Sequence, residues 1–370
     1  MGRLTSRWLG AGAAVAACLA SGVACGVASS AASTGVSTVN SAARVADVLD
    51  RPAAQDRQPA SRVMLGLDRH GKRTLAVGER GLVLVSDDDG KAWRQARVPV
   101  SVTLTAVRFV TPDLAWAIGH GGVVLHTEDG GATWRRQLDG RGIIRLLESA
   151  ARGNEALAAT ARQFAADGPD KPLLDLHFYD AKRGIVAGAY GLVLRTEDGG
   201  ATWQVLNGAT DNPDGLHVYA IAVRGEETWL AGEQGYIARS LDGGRAFTRV
   251  QAPYRGTWFT ARALPDGGLL FAGLRGNAWR WNGQGFEQLA GYAPVSLAAS
   301  ATAPGGVLLA DQAGHLYRAG TGQQPARMVR LTTPPSPIAA MVATAGGDVL
   351  VAGVRGVSRI SATVLEGGAP

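Results

Sequence analysis

Between residues 104 and 134 the chain reads as four short alternating stretches separated by turns. In Leu104 to Val110 apolar and polar side chains alternate, as in a strand with one buried face. Ala115 to Ile118 and Val123 to Thr127 are two further apolar runs, and they flank a G-x-x-G turn suited to a hairpin tip with positive φ angles. A second, polar turn follows, and Trp134 opens an outer strand. The arrangement recurs as AVGERGLVLVSDDDGKAW, AIGHGGVVLHTEDGGATW, VAGAYGLVLRTEDGGATW and LAGEQGYIARSLDGGRAF, then more weakly as FAGLRGNAWRWNGQGF, LADQAGHLYRAGTGQ and VAGVRGVSRISATV. The first hairpin glycines are Gly78, Gly119, Gly188, Gly232, Gly273 and Gly353, with Asp311 in the sixth place, so the steps are 41, 69, 44, 41, 38 and 42 residues.

One four-stranded unit buries only part of its apolar face, so neighbouring units must stack. Four strands repeated seven times predict an all-β fold, a seven-bladed β-propeller of four-stranded antiparallel blades, with six or eight blades as alternatives. The N- and C-terminal strands are expected to share one blade and so close the ring. The 69-residue step is long by about one helical hairpin, and residues 141–169 account for it. Within it ARGNEALAATARQFAADGPD places Leu157, Ala158 and Phe164 at roughly helical spacing before a Gly-Pro stop. The insertion is expected on one face of the ring, either as a functional loop or as a tolerated surface addition.

The polar turns follow S/T-x-D-x-G-x-T/A-W/F, the Asp box. It occurs with Asp88 and Trp93, Asp129 and Trp134, Asp198 and Trp203, and Asp242 and Phe247, and Asn282, Gly285 and Phe286 form a decayed fifth copy. The repetition argues for structure over chemistry, since catalysis needs one special carboxylate and not the same one in every repeat. The Asp is expected to accept backbone N–H groups in the turn, and the aromatic to bury apolar area between blades.

Composition adds the compartment. Arg3 and Arg7 precede an apolar, alanine-rich stretch from Leu9 to Val23 and a run of small residues, so residues 1–30 read as an export signal cleaved after Ala24, Ser30 or Ala31. Val15-Ala16-Ala17-Cys18 resembles a lipobox, which makes Cys18 a candidate for lipidation. With Cys25 it is one of only two cysteines, so the folded part has neither disulfide nor thiol nucleophile. Residues 31–61, rich in Ala, Ser and Pro, are expected to form a flexible arm, residues 62–364 the propeller and 365–370 a tail. The net charge of +6 falls to +4 without the two signal arginines (35 basic against 31 acidic residues), too weak for a nucleic-acid partner. No later stretch is long and apolar enough to cross a membrane as a helix.

With its repeats laid out from Val63 to Ile360, the chain resembles the bacterial branch of the photosystem II stability/assembly factor family. The stretches that carry the resemblance are AVGERGLVLVSDDDGKAW, VSVTLTAVRFV, GHGGVVLHTEDGGATW, DGPDKPLLDLHFYD, GAYGLVLRTEDGG, GEQGYIARSLDGG and GLRGN. The resemblance implies an exported, periplasmic and non-enzymatic scaffold, monomeric and without cofactor, that binds a membrane protein or membrane complex. In oxygenic phototrophs that client is a photosystem II reaction-centre precursor. Nothing in this sequence is tied to pigment or light, so a non-photosynthetic bacterium and an envelope client such as an RND-type exporter are expected.

The expected binding surface is the face carrying the G-x-x-G tips, opposite the Asp boxes. Its candidate contacts are Arg80, His120, Tyr190, Gln234, Arg275 and Arg355, with arginine favoured for bidentate contact to carboxylates. The alternative is a carbohydrate-active enzyme, since Asp boxes also occur in sialidases and Glu79, Glu233 and Asp311 could project toward the channel as a carboxylate pair. Against it, the Arg-Ile-Pro motif of sialidases is missing. His120, His177, His217 and His315 lack metal-ligand spacing, so no metal is expected. Tyr254, Trp258 and Phe259 are candidates for an aromatic patch or for packing between blades.

Overall fold

The computed structural model describes residues 46–320, 324–331 and 336–367. The export signal, the lipidation candidate Cys18 and residues 368–370 of the tail lie outside them. Seven antiparallel sheets follow one another, each a meander of consecutive strands, at residues 64–95, 104–138, 173–205, 218–249, 258–289, 297–329 and 338–360. These are blades 1 to 7 of a β-propeller. Blade 2 shows the pattern, with strands Leu104–Phe109, Ala115–Gly119, Val124–Thr127 and Arg135–Leu138 from the channel outward. The second strand is buried along its whole length because both of its faces meet neighbouring blades.

The Asp boxes form the turns between third and fourth strands. In blade 3 the Thr196 hydroxyl donates to Asp198 Oδ1 at 2.8 Å and accepts the Gly200 N–H at 2.9 Å. The same carboxylate accepts the Thr202 N–H at 2.8 Å and its hydroxyl at 2.5 Å. Blades 1, 2 and 4 repeat this closure around Asp88, Asp129 and Asp242. The Thr202 hydroxyl bond holds the Asp198 carboxyl below its ordinary range, and the Ala92 N–H does so for Asp88. The aromatic that ends each box is driven into the joint with the preceding blade: Trp93 against blade 7, Trp134 against blade 1, Trp203 against blade 2 and Phe247 against blade 3. Gly131 needs its positive φ of 94°, and a Cβ there would sit 2.4 Å from Leu75 of blade 1.

Among the described residues ring closure departs from the expectation of a shared blade. All four strands of blade 1 come from residues 64–95, and the three described strands of blade 7 come from residues 338–360. Residues ahead of Met64 turn as a 3-10 helix at Pro59–Ser61, which lays the Ala60 carbonyl against Gly356 but offers no extended run to pair. Closure is apolar instead: Met64, Leu67, Leu82 and Leu84 of blade 1 bury against Leu350 and Ala352 of blade 7. Among the described residues three α-helices accompany the sheets. α1 (Gly140–Ala150) and α2 (Glu155–Asp167) form the insertion between blades 2 and 3, and α3 (Ala362–Leu365) follows blade 7. Asp139 caps α1 by accepting the Gly142 N–H at 3.0 Å, and Ile143, Leu147, Ala161 and Phe164 join the core between blades 2 and 3.

Residues 46–56, which composition assigns to the arm, lie along blades 1 and 2. Leu49 is buried with the core of those blades, Ala53 N–H donates to the Val98 carbonyl at 3.0 Å, and Arg141 reaches Asp47 and Asp50, each at 2.9 Å.

The hairpin-tip face as candidate functional site

Each G-x-x-G tip is tied to the segment leading into its own blade's inner strand. Glu79, His120, Ala189, Glu233 and Leu274 donate backbone N–H groups to the carbonyls of Val63, Thr103, Pro172, His217 and Thr257, at 2.8–3.0 Å. The tips therefore share one face with the connections between blades, and the Asp boxes occupy the other ends of the same strands. Because α1 and α2 interrupt such a connection, they rise on the tip face too.

Arg80, Tyr190, Gln234 and Arg275 occupy the second tip position with φ of 53°, 57°, 50° and 56°. Side chains disfavour this region, and blade 2 has Gly121 there instead. All four side chains are exposed, as is His120 one position earlier. Among the described residues neither Arg80 nor Arg275 is engaged in a hydrogen bond or ion pair. Arg355 is also exposed, but blade 7 turns more tightly: Gly353 pairs directly with Gly356, which takes the positive φ of 87°.

The structure brings one of these residues, Tyr190, into a cluster that sequence reasoning did not assemble. Its ring stands edge-on to Phe164 of α2 at 6.2 Å and edge-on to His217 at 4.9 Å. The Lys171 ammonium lies 5.6 Å from the Phe164 ring and 5.5 Å from the Tyr190 ring, while also reaching Asp167 at 3.6 Å. Beyond His217, Tyr219 and Phe259 meet at 5.4 Å at the channel mouth. An aromatic strip thus runs from the insertion over the tip of blade 3 to the channel. Of the three aromatics in PYRGTWF, Trp258 is fully buried with Tyr254 packed on it at 5.6 Å, and only Phe259 joins the strip.

The channel is a cavity of about 390 Å³ lined by the seven inner strands. Each of those strands slips register near its start, leaving one unpaired residue per blade: Leu65, Thr105, Leu174, Tyr219, Phe259, Ala298 and Ala339. All seven line the cavity. Further in are four charges that the sequence reading missed. Their signal was a charged residue inside an inner strand: Asp68, Arg108, Asp175 and Arg262. Asp68 accepts the Phe109 N–H of blade 2 at 2.6 Å, and Asp175 accepts the Ile221 N–H of blade 4 at 2.9 Å and Arg108 at 3.3 Å. Burial raises both carboxyls above the ordinary range and, helped by the like charge of Arg108, lowers Arg262 to about 10. Each acid is thereby a staple between blades. Glu79, Glu233 and Asp311, the carboxylates expected to reach the channel, do not line it: they accept the backbone N–H groups of Val63, His217 and His315.

The sequence profile described as photosynthesis system II assembly factor YCF48 matches residues 60–144 and 158–255. The photosystem II assembly lipoprotein Ycf48 of Synechococcus sp. (strain CC9902) is 32% identical over 77 residues, 21% of this chain and 23% of that protein. The chloroplastic photosystem II stability/assembly factor HCF136 of Arabidopsis thaliana is 29% identical over 104 residues, 27% of this chain and 26% of that one. The chain thus matches about a quarter of the length of either relative. A solved structure of YCF48 bound to D1 peptide superposes with a TM-score of 0.61 at 18% identity, over 86% of this chain and 99% of that one, a likeness of fold. Asp boxes, blade count and matched profile agree: the chain belongs to the photosystem II assembly factor-like family of Asp-box β-propellers.

Proposed function

We propose that this protein is an exported, non-enzymatic scaffold whose hairpin-tip face binds an extended segment of a membrane protein. The observation that carries the reading is the Phe164–Tyr190–His217 strip beside Lys171, on the face that also presents Arg80 and Arg275 in left-handed backbone. Aromatic rings supply contact area at little entropic cost, and arginines hold carboxylates in bidentate fashion. A polypeptide chain end or an acidic segment has the chemistry to use both. The relative bound to a D1 peptide supports a peptide as ligand. A relative that is by name a lipoprotein supports export with an anchor, for which Cys18 is the residue. Among the described residues no helix is long and apolar enough to cross a membrane. With nothing in the sequence tied to light, we place the chain in the non-photosynthetic bacterial branch, with an RND-type exporter as the first client to test.

The test is a crosslinking pulldown from envelope membranes with wild type, with Arg80, Arg275 and Arg355 all changed to Glu, and with Tyr190→Ala. Recovery of one membrane complex by wild type, lost in either variant, is the expected result. Equal recovery in all three would move the site off this face. If no sample enriched a membrane protein, the scaffold reading would fail and glycosidase assays would come next.

A further inference from the structure

Blade 6 lacks the aromatic that every earlier box supplies. In blade 5, Phe286 stands opposite Trp281, and in blade 4 the Phe247 N–H donates to the Ala209 carbonyl of the preceding connection at 2.8 Å. The same bond in blade 6 comes from Ala326, whose N–H donates to the Ala290 carbonyl at 2.8 Å. Ala326 therefore occupies the position of Trp93, Trp134, Trp203, Phe247 and Phe286. Blade 7 lacks the aromatic too, but there Leu365 of α3 enters the joint with blade 6 and is 7% exposed. The joint between blades 5 and 6 holds Tyr317 and Tyr292, in ring contact at 5.3 Å, but among the described residues no aromatic lines its end beside Ala319. It holds an open, mainly apolar cavity of about 330 Å³ lined by Leu264, Leu270, Leu289, Val307 and Ala319. An apolar cavity of about 150 Å³ already holds benzene.

We infer that this joint is a binding slot for one aromatic side chain presented by a partner polypeptide. The repeat itself defines the occupant: five other joints of the ring are shaped by the same strands around an indole or phenyl ring, inserted at this position. Two further features suit an incoming chain. Met328, two residues beyond Ala326, where strand alternation returns a side chain to the same face, is 54% exposed. Arg280 and Asp266, paired at 2.8 Å, line the rim with groups able to bond a peptide backbone. The slot opens among the turns of the Asp-box face, so it is independent of the tip-face reading.

The probe is N-acetyl-tryptophanamide, with indole beside it, titrated into the full protein carrying labelled Leu, Val and Ala methyl groups. Saturable shifts of Leu264, Leu270, Leu289 and Val307 methyls are expected, with Tm raised by about 2 °C at ten times Kd. Ala326→Trp should restore the missing ring, raise Tm without ligand and abolish those shifts. Val307→Phe fills the slot from the opposite wall should the first variant fold poorly. Methyls that stay still, or that move equally in a filled variant, overturn the proposal. So do methyls that already show contacts to an aromatic of this chain, or shifts that follow protein concentration, since the slot would then belong to the chain or to a second copy.

Discussion

Replacing Trp134 by alanine tests whether the box aromatics pin the blades together. The side chain is 7% exposed, lies between blades 1 and 2, and donates its indole N–H to the Gly131 carbonyl at 3.0 Å. A buried tryptophan removes ~150–250 Å² from water, which at ~25 cal/mol/Å² is about 4–6 kcal/mol as an upper bound. Truncations of buried aromatics cost ~3–5 kcal/mol, so about 4 kcal/mol is expected. For a domain of this size the unfolding entropy near Tm is about 0.7 kcal/mol/K, so Tm should fall by about 6 °C in calorimetry. Trp134→Phe keeps most of the burial and loses the hydrogen bond, about 1 kcal/mol, or roughly 1.5 °C. A fall below 2 °C for Trp134→Ala, or equal falls for both variants, would refute burial at the joint as the source of stability. It would also remove the ground for reading the blade 5–6 joint as an aromatic slot.

Two further predictions concern the inner strand of blade 3 and the arm. Burial pushes His177 down to about 4 from its ordinary 6.5, so the unfolded chain binds the extra proton between those values. Stability should then rise with pH across that window and be lost as pH falls through it, and His177→Asn should flatten this slope in urea midpoints taken from pH 4 to 7. A slope unchanged in the variant would show that other groups set it. Arg141→Ala cuts its ion pairs to Asp47 and Asp50 and leaves Arg136 on Asp50 at 3.1 Å. Exposed pairs of this kind contribute ~0–1 kcal/mol, so Tm should barely move while limited proteolysis near residues 46–53 quickens; an unchanged cleavage rate would show that the burial of Leu49, the Ala53–Val98 bond and Arg136 hold the segment without Arg141.

The features legible in the sequence are those whose causes are local. A hairpin with glycines three apart, or a carboxylate closing its own turn, needs only a few neighbouring residues, and seven copies reinforce one another. The order of the blades and the place of the insertion follow from that. Closure was not legible, because it depends on how Pro59 turns the chain just before Met64 and on whether Leu365 reaches the joint between blades 6 and 7, neither of which leaves a periodic trace. The tip arginines were found as residue types at a repeated position. The Phe164–Tyr190–His217 strip was not, since its members come from a helix, a hairpin tip and a connection that meet only in space. Charges inside otherwise apolar inner strands, as in GLDRH and TARAL, were a usable signal for the channel cluster that strand periodicity alone passes over.

The seven unpaired residues around the channel mouth carry a consequence for how such a molecule diversifies. A side chain at a bulge is released from the strand ladder, so pairing constrains its identity less, although Thr105 still reaches the Leu173 carbonyl of blade 3 at 2.7 Å. Blades 4 and 5 place Tyr219 and Phe259 there, while blades 6 and 7 place Ala298 and Ala339. Two neighbouring blades of the rim thus carry large rings, and the next two are open to growth. Mutation can sample new mouth chemistries one residue at a time, each on a fold that remains intact, and relatives can part company in what they accept long before they part in architecture.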